Sequence, residues 1–74
     1  PAPAPDAVLE TAQRFQGLEK ALARLPPEHR EILLLREIEE MSYEDIAAVL
    51  NLNTGTVKSR IARARAGLLE KMPR

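Results

Sequence analysis

The residues between 54 and 68 combine small and basic side chains on one side of a helical pattern. At about 100° per residue, one narrow apolar sector must face a core; it holds Val57, Ile61, Ala64 and Leu68. The opposite side is mostly small: Gly55, Ser59, Ala62, Arg63 and Ala66, with Lys58 on the flank. Small residues let a helix lie deep in the DNA major groove, where arginine or lysine can donate to guanine and serine can bond several base edges. The pattern therefore favours a helix that reads DNA.

Basic residues surround this face and can neutralise phosphates: Lys58, Arg60, Arg63 and Arg65. The backbone amides at the start of the helix, near Thr54 and Thr56, can bind a further phosphate. Alanine and arginine are also good helix formers, so an ordinary amphipathic surface helix is the alternative interpretation of this segment alone.

The net charge of the chain is zero, but the charges are unevenly distributed. Residues 1–45 hold ten acidic and five basic residues, whereas residues 46–74 hold one acidic and six basic residues. This asymmetry indicates a polyanionic partner for the basic half. Attraction between the two halves within the fold is the alternative.

The composition argues against an enzyme and against a metal protein. The 74 residues include no cysteine and one histidine, His29, and they contain no nucleophile–base pair, phosphate loop or cluster of metal ligands. We therefore expect no catalytic residue, no cofactor and no metal. No apolar run approaches the roughly 20 residues that span a bilayer, so we expect no membrane insertion. The lack of cysteine fits a reducing compartment, and we expect a cytoplasmic protein.

The first half of the chain predicts a tail followed by two helices. Residues 1–5, with alternating prolines, are expected to form a disordered or linker tail. Asp6 can cap the first helix, whose apolar stripe includes Phe15 as an expected core residue. Pro26 and Pro27 separate this helix from the second, because the residue before a proline avoids the helical conformation and proline suits the first helical position.

A short third helix leads into a turn with the features of a helix-turn-helix. Ser42 and Asp45 have capping-box spacing at its start. Ala47 is small where the next helix must cross, Asn51 tolerates the left-handed conformation of the turn, and Leu52 can fill the angle between the two helices.

Asn53 or Thr54 can cap the last helix, which is expected to run to about Lys71. The prediction is an all-α fold, a small four-helix domain over residues 6–74. It ends in a helix-turn-helix at about residues 43–71, without a winged element.

A series of short motifs occurs between residues 25 and 68: Leu25-Pro26 with Arg30, Leu35-Arg36, Ser42-Tyr43-Glu44-Asp45-Ile46-Ala47, Gly55-Thr56-Val57-Lys58-Ser59-Arg60 and Arg63-Ala64-Arg65. In these motifs the chain resembles region four of the extracytoplasmic-function sigma factors of bacteria. The leading helix, residues 6–24, matches only in its pattern. The resemblance implies sequence-specific binding to the minus-35 promoter element through the last helix, as part of a sigma factor that directs transcription initiation by bacterial RNA polymerase.

The resemblance also implies roles for individual residues. The positions that face the bases in the family are held here by Lys58, Ser59, Ala62 and Arg63. Those near the phosphate backbone are held by Arg36, Ser42, Tyr43, Thr54 and Thr56. The helical geometry adds Arg60 and Arg65 to the backbone set. Relatives often carry arginine where Lys58 stands, and some carry an aromatic residue where Ala62 stands, so the promoter sequence cannot be copied from a relative.

The resemblance implies protein partners as well as promoter DNA. These are the RNA polymerase core, through the flap-tip helix of its β subunit, and an anti-sigma factor. Leu33, Leu34 and Leu35 cannot all point inward, so one of them is expected to be exposed for a partner helix. Two alternatives are the DNA-binding output domain of another transcription regulator, such as a response regulator, and a purely protein-binding helical module.

Overall fold

The computed structural model describes residues 15–72 and contains helices and no strand within that range. Helix α1 occupies residues 15–23 of the described chain. Helix α2, Pro27–Leu33, continues as a π-helical turn, Leu34–Ile38; α3 is Tyr43–Leu50 and α4 is Thr54–Lys71. The predicted all-α, four-helix fold is confirmed. The expectations for the tail and for an Asp6 cap fall outside the described residues.

The two prolines separate α1 from α2 as their backbone restrictions predict. Pro26 is extended, with φ −53° and ψ 144°, and Pro27 is the first residue of α2. Its fixed φ suits that position, and it needs no partner for a backbone N–H. Glu28 lies in the first turn, where a carboxylate stabilises the positive end of the helix dipole.

The end of α2 departs from regular α-helical geometry. The Glu39 amide donates to the carbonyl of Leu34 across the π-helical turn, at 3.1 Å. Glu40 then adopts a left-handed conformation with φ 54°, which is uncommon outside glycine. Leu33 is buried, whereas Leu34, the next residue, is 42% exposed. The prediction that one of the three consecutive leucines is exposed is therefore confirmed.

The core lies where α4 packs against both α2 and α3. Its buried members are Leu25, Ile32, Leu33, Ile46, Ala47, Val57, Ile61 and Ala64. Because α4 contributes three of these residues, one side of this helix is fixed in the core and the opposite side must face outward.

The prediction that Phe15 belongs to the core is wrong, because its side chain is 60% exposed. The buried stripe of α1 is centred on two small residues, Gly17 and Ala21. At about 100° per residue, Phe15 lies roughly 120° away from Ala21, beyond the half-buried Leu22. The 3.6-residue period was correct, but the small residues mark the centre of the stripe and the aromatic ring lies at its margin.

Candidate nucleic-acid interface

Cap and backbone hydrogen bonds define both ends of helix α3. The Ser42 hydroxyl accepts a hydrogen bond from the Asp45 amide at 3.1 Å, which is one half of the predicted capping box. Asn51 has φ 55° and ψ 49°, and its amide donates to the Ala47 carbonyl. The Leu52 amide reaches the same carbonyl at 2.9 Å. These bonds end α3 sharply, and the predicted left-handed role of Asn51 is confirmed.

Asn53 caps α4 with its side chain. Its Oδ1 accepts a hydrogen bond from the Thr56 amide at 2.7 Å, and its backbone carbonyl accepts from Val57. The Thr56 amide is therefore occupied, and phosphate binding by the other amides at the helix start stays a prediction. Thr54 and Gly55, the first two residues of α4, are both exposed, and their amides are the ones that a helix of this kind leaves without an intrahelical partner.

The two sides of α4 differ in burial as the sequence predicts. Val57 and Ala64 are fully buried and Ile61 is 1% exposed. The exposed side carries Gly55, Lys58, Ser59, Ala62, Arg63 and Ala66. We call this exposed side the α4 outer face. The four predicted base-contacting residues all lie on it, and their contacts with bases stay a prediction.

An open concavity of about 490 Å³ adjoins the N-terminal part of this face. It is lined by Asn53, Gly55, Thr56, Ser59, Arg60 and Arg63. Its walls carry two guanidinium groups and two hydroxyl groups but no carboxylate. Such a surface can hold a phosphate or a polar base edge. Asn53 was expected only as a cap, and it also lines this concavity.

The predicted backbone-contacting residues fall into two groups. Ser42, Thr54 and Thr56 lie at the start of α3 or α4, and Arg60 lies further along α4, where it lines the concavity. The other three meet at the corner between α2 and α3: Arg36, Tyr43 and Arg65. The two groups adjoin at the start of α3, where Ser42 immediately precedes Tyr43.

Arg65 is held by an acidic residue from α2. Its Nε donates to Oε1 of Glu37 at 3.0 Å, and its Nη2 reaches the same oxygen. This hydrogen bond, with a smaller contribution from Tyr43, raises the pKa of Arg65 above its usual value. Glu37, 28 residues earlier in the chain, is a site neighbour that sequence reasoning missed, because no local pattern joins the two positions.

Arg36 is also engaged within the fold. Its Nη1 donates to the Met41 carbonyl at 2.8 Å. Its guanidinium carbon lies 5.0 Å from the centroid of the Tyr43 ring, within the range of a cation–π contact. Both partners of Arg36 flank the cap of α3.

Neither a cluster of metal ligands nor a membrane-spanning helix is found among the described residues. Residues 15–72 contain no group of three or more His, Cys, Asp or Glu side chains that could hold a metal ion. Among the same residues, no helix combines the length and the apolar character needed to cross a membrane.

Comparison with known proteins matches residues 15–68 to the family described as "Sigma-70, region 4". The chain belongs to this family. Region 4 is a DNA-binding, non-enzymatic domain of sigma factors, which take part in transcription initiation with RNA polymerase. The expectation that the chain is not an enzyme agrees with this membership.

Several curated sigma factors are similar to this region 4 chain. It is 42% identical over 66 residues to the ECF RNA polymerase sigma factor SigE of Mycolicibacterium smegmatis, a match that covers 89% of the chain and 26% of that relative. It is 47% identical over 51 residues to the RNA polymerase sigma-H factor of Pseudomonas aeruginosa, covering 69% and 26%. For the ECF RNA polymerase sigma-E factor of Escherichia coli K12 the identity is 35% over 68 residues, covering 92% and 36%. The chain thus spans roughly a quarter to a third of the length of these relatives.

Proposed function

We propose that the chain reads the minus-35 element of promoters through the α4 outer face, as part of a sigma factor that directs transcription initiation by bacterial RNA polymerase in the cytoplasm. The observation that carries the proposal is the exposure of Ser59, Ala62 and Arg63 on a helix whose opposite side is buried at Val57, Ile61 and Ala64. Membership of the region 4 family supports it.

Four residues of the α4 outer face have distinct chemical roles in this proposal. Arg63 donates two hydrogen bonds to a guanine, which is the commonest specific contact in the major groove. Ser59 bonds a base edge, and Ala62 contacts a thymine methyl group while letting the helix backbone approach closely. Lys58, on the flank, donates as a point charge and lacks the bidentate fork of arginine.

Phosphate contacts on both sides of this face orient the helix. Thr54, Thr56 and Arg60 serve the phosphates beside α4, and Ser42 serves those beside α3. The backbone amides of Thr54 and Gly55 lie at the positive end of the helix dipole, where a phosphate is stabilised. These contacts provide affinity and register, whereas the base contacts provide specificity.

The protein partners of the proposal are the β flap-tip helix of the polymerase core and an anti-sigma factor. An apolar groove of about 220 Å³ between α1, α2 and α4 suits an amphipathic helix; its apolar lining is Leu18, Leu22, Leu33, Leu34, Ile38 and Leu68. Ile38 is 70% exposed at its edge. We expect Ile38→Glu to weaken binding to core polymerase and to leave DNA binding unchanged. If the variant binds core polymerase as well as the unmodified chain does, this groove is not the polymerase-binding site.

A selection from random duplexes tests the DNA-binding proposal directly. The chain is incubated at low salt with a pool of random double-stranded DNA, and the bound fraction is amplified and sequenced. We expect one short recurring element, with its preference at one position lost when the selection is repeated with Arg63→Ala. A bound fraction with no recurring element would overturn the proposal, and so would an element unchanged by this variant and by Ser59→Val.

A further inference from the structure

We propose that Glu40 limits the affinity of the chain for DNA, because its carboxylate repels the phosphates that pass the corner between α2 and α3. The inference rests on the proposed function, since it concerns the strength of the phosphate contacts that orient the α4 outer face. It adds a residue that opposes DNA binding to the residues that promote it.

Glu40 stands at a backbone position that suits glycine. It has φ 54°, and the amide of the next residue, Met41, donates to the carbonyl of Leu35 at 3.1 Å. This bond closes the helix end around a left-handed residue, and in helix ends of this kind that residue is usually glycine. A residue with a Cβ is less stable than glycine in this conformation. The backbone of the helix end therefore gives no reason for a glutamate here.

The side chain of Glu40 is not used by the fold among residues 15–72. It is exposed, and the ion pair found in this part of the chain joins Glu37 to Arg65. Arg36, the other basic residue beside Glu40, donates instead to the Met41 carbonyl. A residue that is held in an uncommon conformation, and that the described fold does not require, points to a functional role.

Glu40 borders a depression of about 280 Å³ together with Arg36, Glu37 and Arg65. The charge of Glu37 is offset by Arg65, which pairs with it. A guanidinium has five N–H donors, and Arg36 gives one of them to the Met41 carbonyl, so others can bind a phosphate oxygen. The carboxylate of Glu40 is therefore the charge that opposes a phosphate at Arg36.

The depression adjoins the start of α3, where the proposed function places a phosphate. The guanidinium carbon of Arg36 lies 5.0 Å from the centroid of the Tyr43 ring, and Tyr43 follows Ser42, which is assigned to that phosphate. A carboxylate in solvent repels a nearby phosphate at short range, and added salt weakens the repulsion. Because the repulsion acts on the DNA backbone, it is the same for every base sequence.

The test measures affinity for two duplexes by fluorescence anisotropy over a range of salt concentrations. One duplex carries the element selected from the random pool, and the other carries the same bases scrambled. Glu40→Gln removes the charge and keeps a side chain of similar size, whereas Glu40→Lys reverses the charge. Glu39→Gln is the matched control, because Glu39 is the neighbouring exposed acid and does not line the depression.

We expect Glu40→Gln to bind both duplexes about threefold more tightly at about 0.1 M salt, as for one screened charge about 4 Å from a phosphate in water. The gain should be equal for the two duplexes and should shrink as salt is added. Glu40→Lys should gain more and should steepen the salt slope by about 0.9, the value for one added phosphate contact. Glu39→Gln should gain less than about twofold, because more distant charges are screened.

Equal affinity of Glu40→Gln and the unmodified chain would overturn the proposal. An equal gain in Glu39→Gln would overturn it too, because the effect would then belong to net charge and not to the depression.

Glu40→Gly separates the backbone conformation from the charge. It should match Glu40→Gln in DNA affinity and should also raise the melting temperature, which Glu40→Gln should leave unchanged. Circular dichroism measures the melting temperature. A gain in stability without a gain in affinity in Glu40→Gly, or a loss of stability without a gain in affinity in Glu40→Gln, would show that the carboxylate does not act on DNA.

The two proposals fail in different ways. If the unmodified chain prefers neither duplex, the proposed reading of a promoter element fails. The comparison on the scrambled duplex still decides the role of Glu40, because attraction to phosphates does not depend on base sequence.

Discussion

The arginines at the start of α4 and those at the corner between α2 and α3 have different surroundings. Arg60 and Arg63 border a concavity that has no acidic residue in its lining. Arg36 and Arg65 border a depression with Glu37 and Glu40, and both are bonded within the fold. Although the chain has no net charge, its arginines therefore form two kinds of basic surface. Within residues 15–72, the bases near the start of α4 are available to a polyanion, and those at the corner hold helices together.

The largest expected effect comes from an acidic residue on the α4 outer face. Ala62→Glu places a carboxylate against the DNA, where like-charge repulsion costs several kcal/mol, so we expect binding to every duplex to be abolished. The melting temperature should change little, because Ala62 is exposed. Fluorescence anisotropy with labelled duplex and thermal unfolding measure the two quantities.

Ala23→Glu is the matched control for this charge change, since Ala23 is an exposed alanine on α1. It should bind DNA nearly as well as the unmodified chain. Retained affinity in Ala62→Glu would remove the α4 outer face from the interface, and equal losses in both variants would attribute the effect to net charge alone.

Truncation of one base-reading side chain should have the next largest effect. We expect Arg63→Ala to weaken specific binding by about 1–3 kcal/mol and to relax the preference at one base pair. The measurement is the affinity for the selected duplex and for duplexes altered at each position. A loss of the same size on every duplex would show that Arg63 contacts a phosphate. Arg24→Ala, at an exposed arginine just after α1, controls for the lost charge.

Substitution of Gly55 should have a smaller effect, which weakens DNA binding without lowering stability. An added Cβ would meet only the Asn53 Oδ1 at 3.4 Å, an ordinary contact distance. The fold therefore does not require glycine at this position. We expect Gly55→Ala to leave the free energy of unfolding unchanged or to raise it by up to about 1 kcal/mol, and to weaken DNA binding several-fold by holding the helix start away from a phosphate. Unchanged affinity would show that DNA does not approach this point closely.

The sequence predicted best those features that depend on neighbouring residues. The caps by Ser42 and Asn53, the left-handed Asn51 and the two sides of α4 all follow from spacings of a few residues. These features determine which side of the last helix faces outward. The sequence pattern therefore places the four candidate base-contacting residues together on that side.

The features that were missed depend on contacts between distant parts of the chain. The π-helical turn Leu34–Ile38 and the left-handed Glu40 have no glycine or proline to mark them. The pairing of Glu37 with Arg65 joins positions in different helices. The exposure of Phe15 depends on which side of α1 can approach α2 and α4 most closely. Local periodicity contains no information on these choices.

The smallest expected effect concerns the pair at the corner. Both side chains of the Glu37–Arg65 pair are about half exposed, and such surface pairs contribute about 0–1 kcal/mol. We therefore expect Glu37→Gln to lower the free energy of unfolding by less than about 1 kcal/mol. The same variant removes a negative charge and releases a guanidinium. Its effect on DNA binding thus tests whether the two basic surfaces are as separate as their contacts indicate.

If Arg65 lies out of reach of DNA, Glu37→Gln should leave the salt slope of binding unchanged, and Arg65→Gln should leave it unchanged too. If Arg65 contacts a phosphate, as helical geometry first suggested, its removal should reduce the slope by about 0.9, and its release in Glu37→Gln should strengthen non-specific binding. Glu31→Gln, at an exposed acid elsewhere on α2, gives the effect of the charge alone. If the salt slope changes when Arg65 is removed, the corner between α2 and α3 is part of the DNA interface. Such a contact is feasible because a half-exposed ion pair is weak enough for a phosphate to replace the carboxylate.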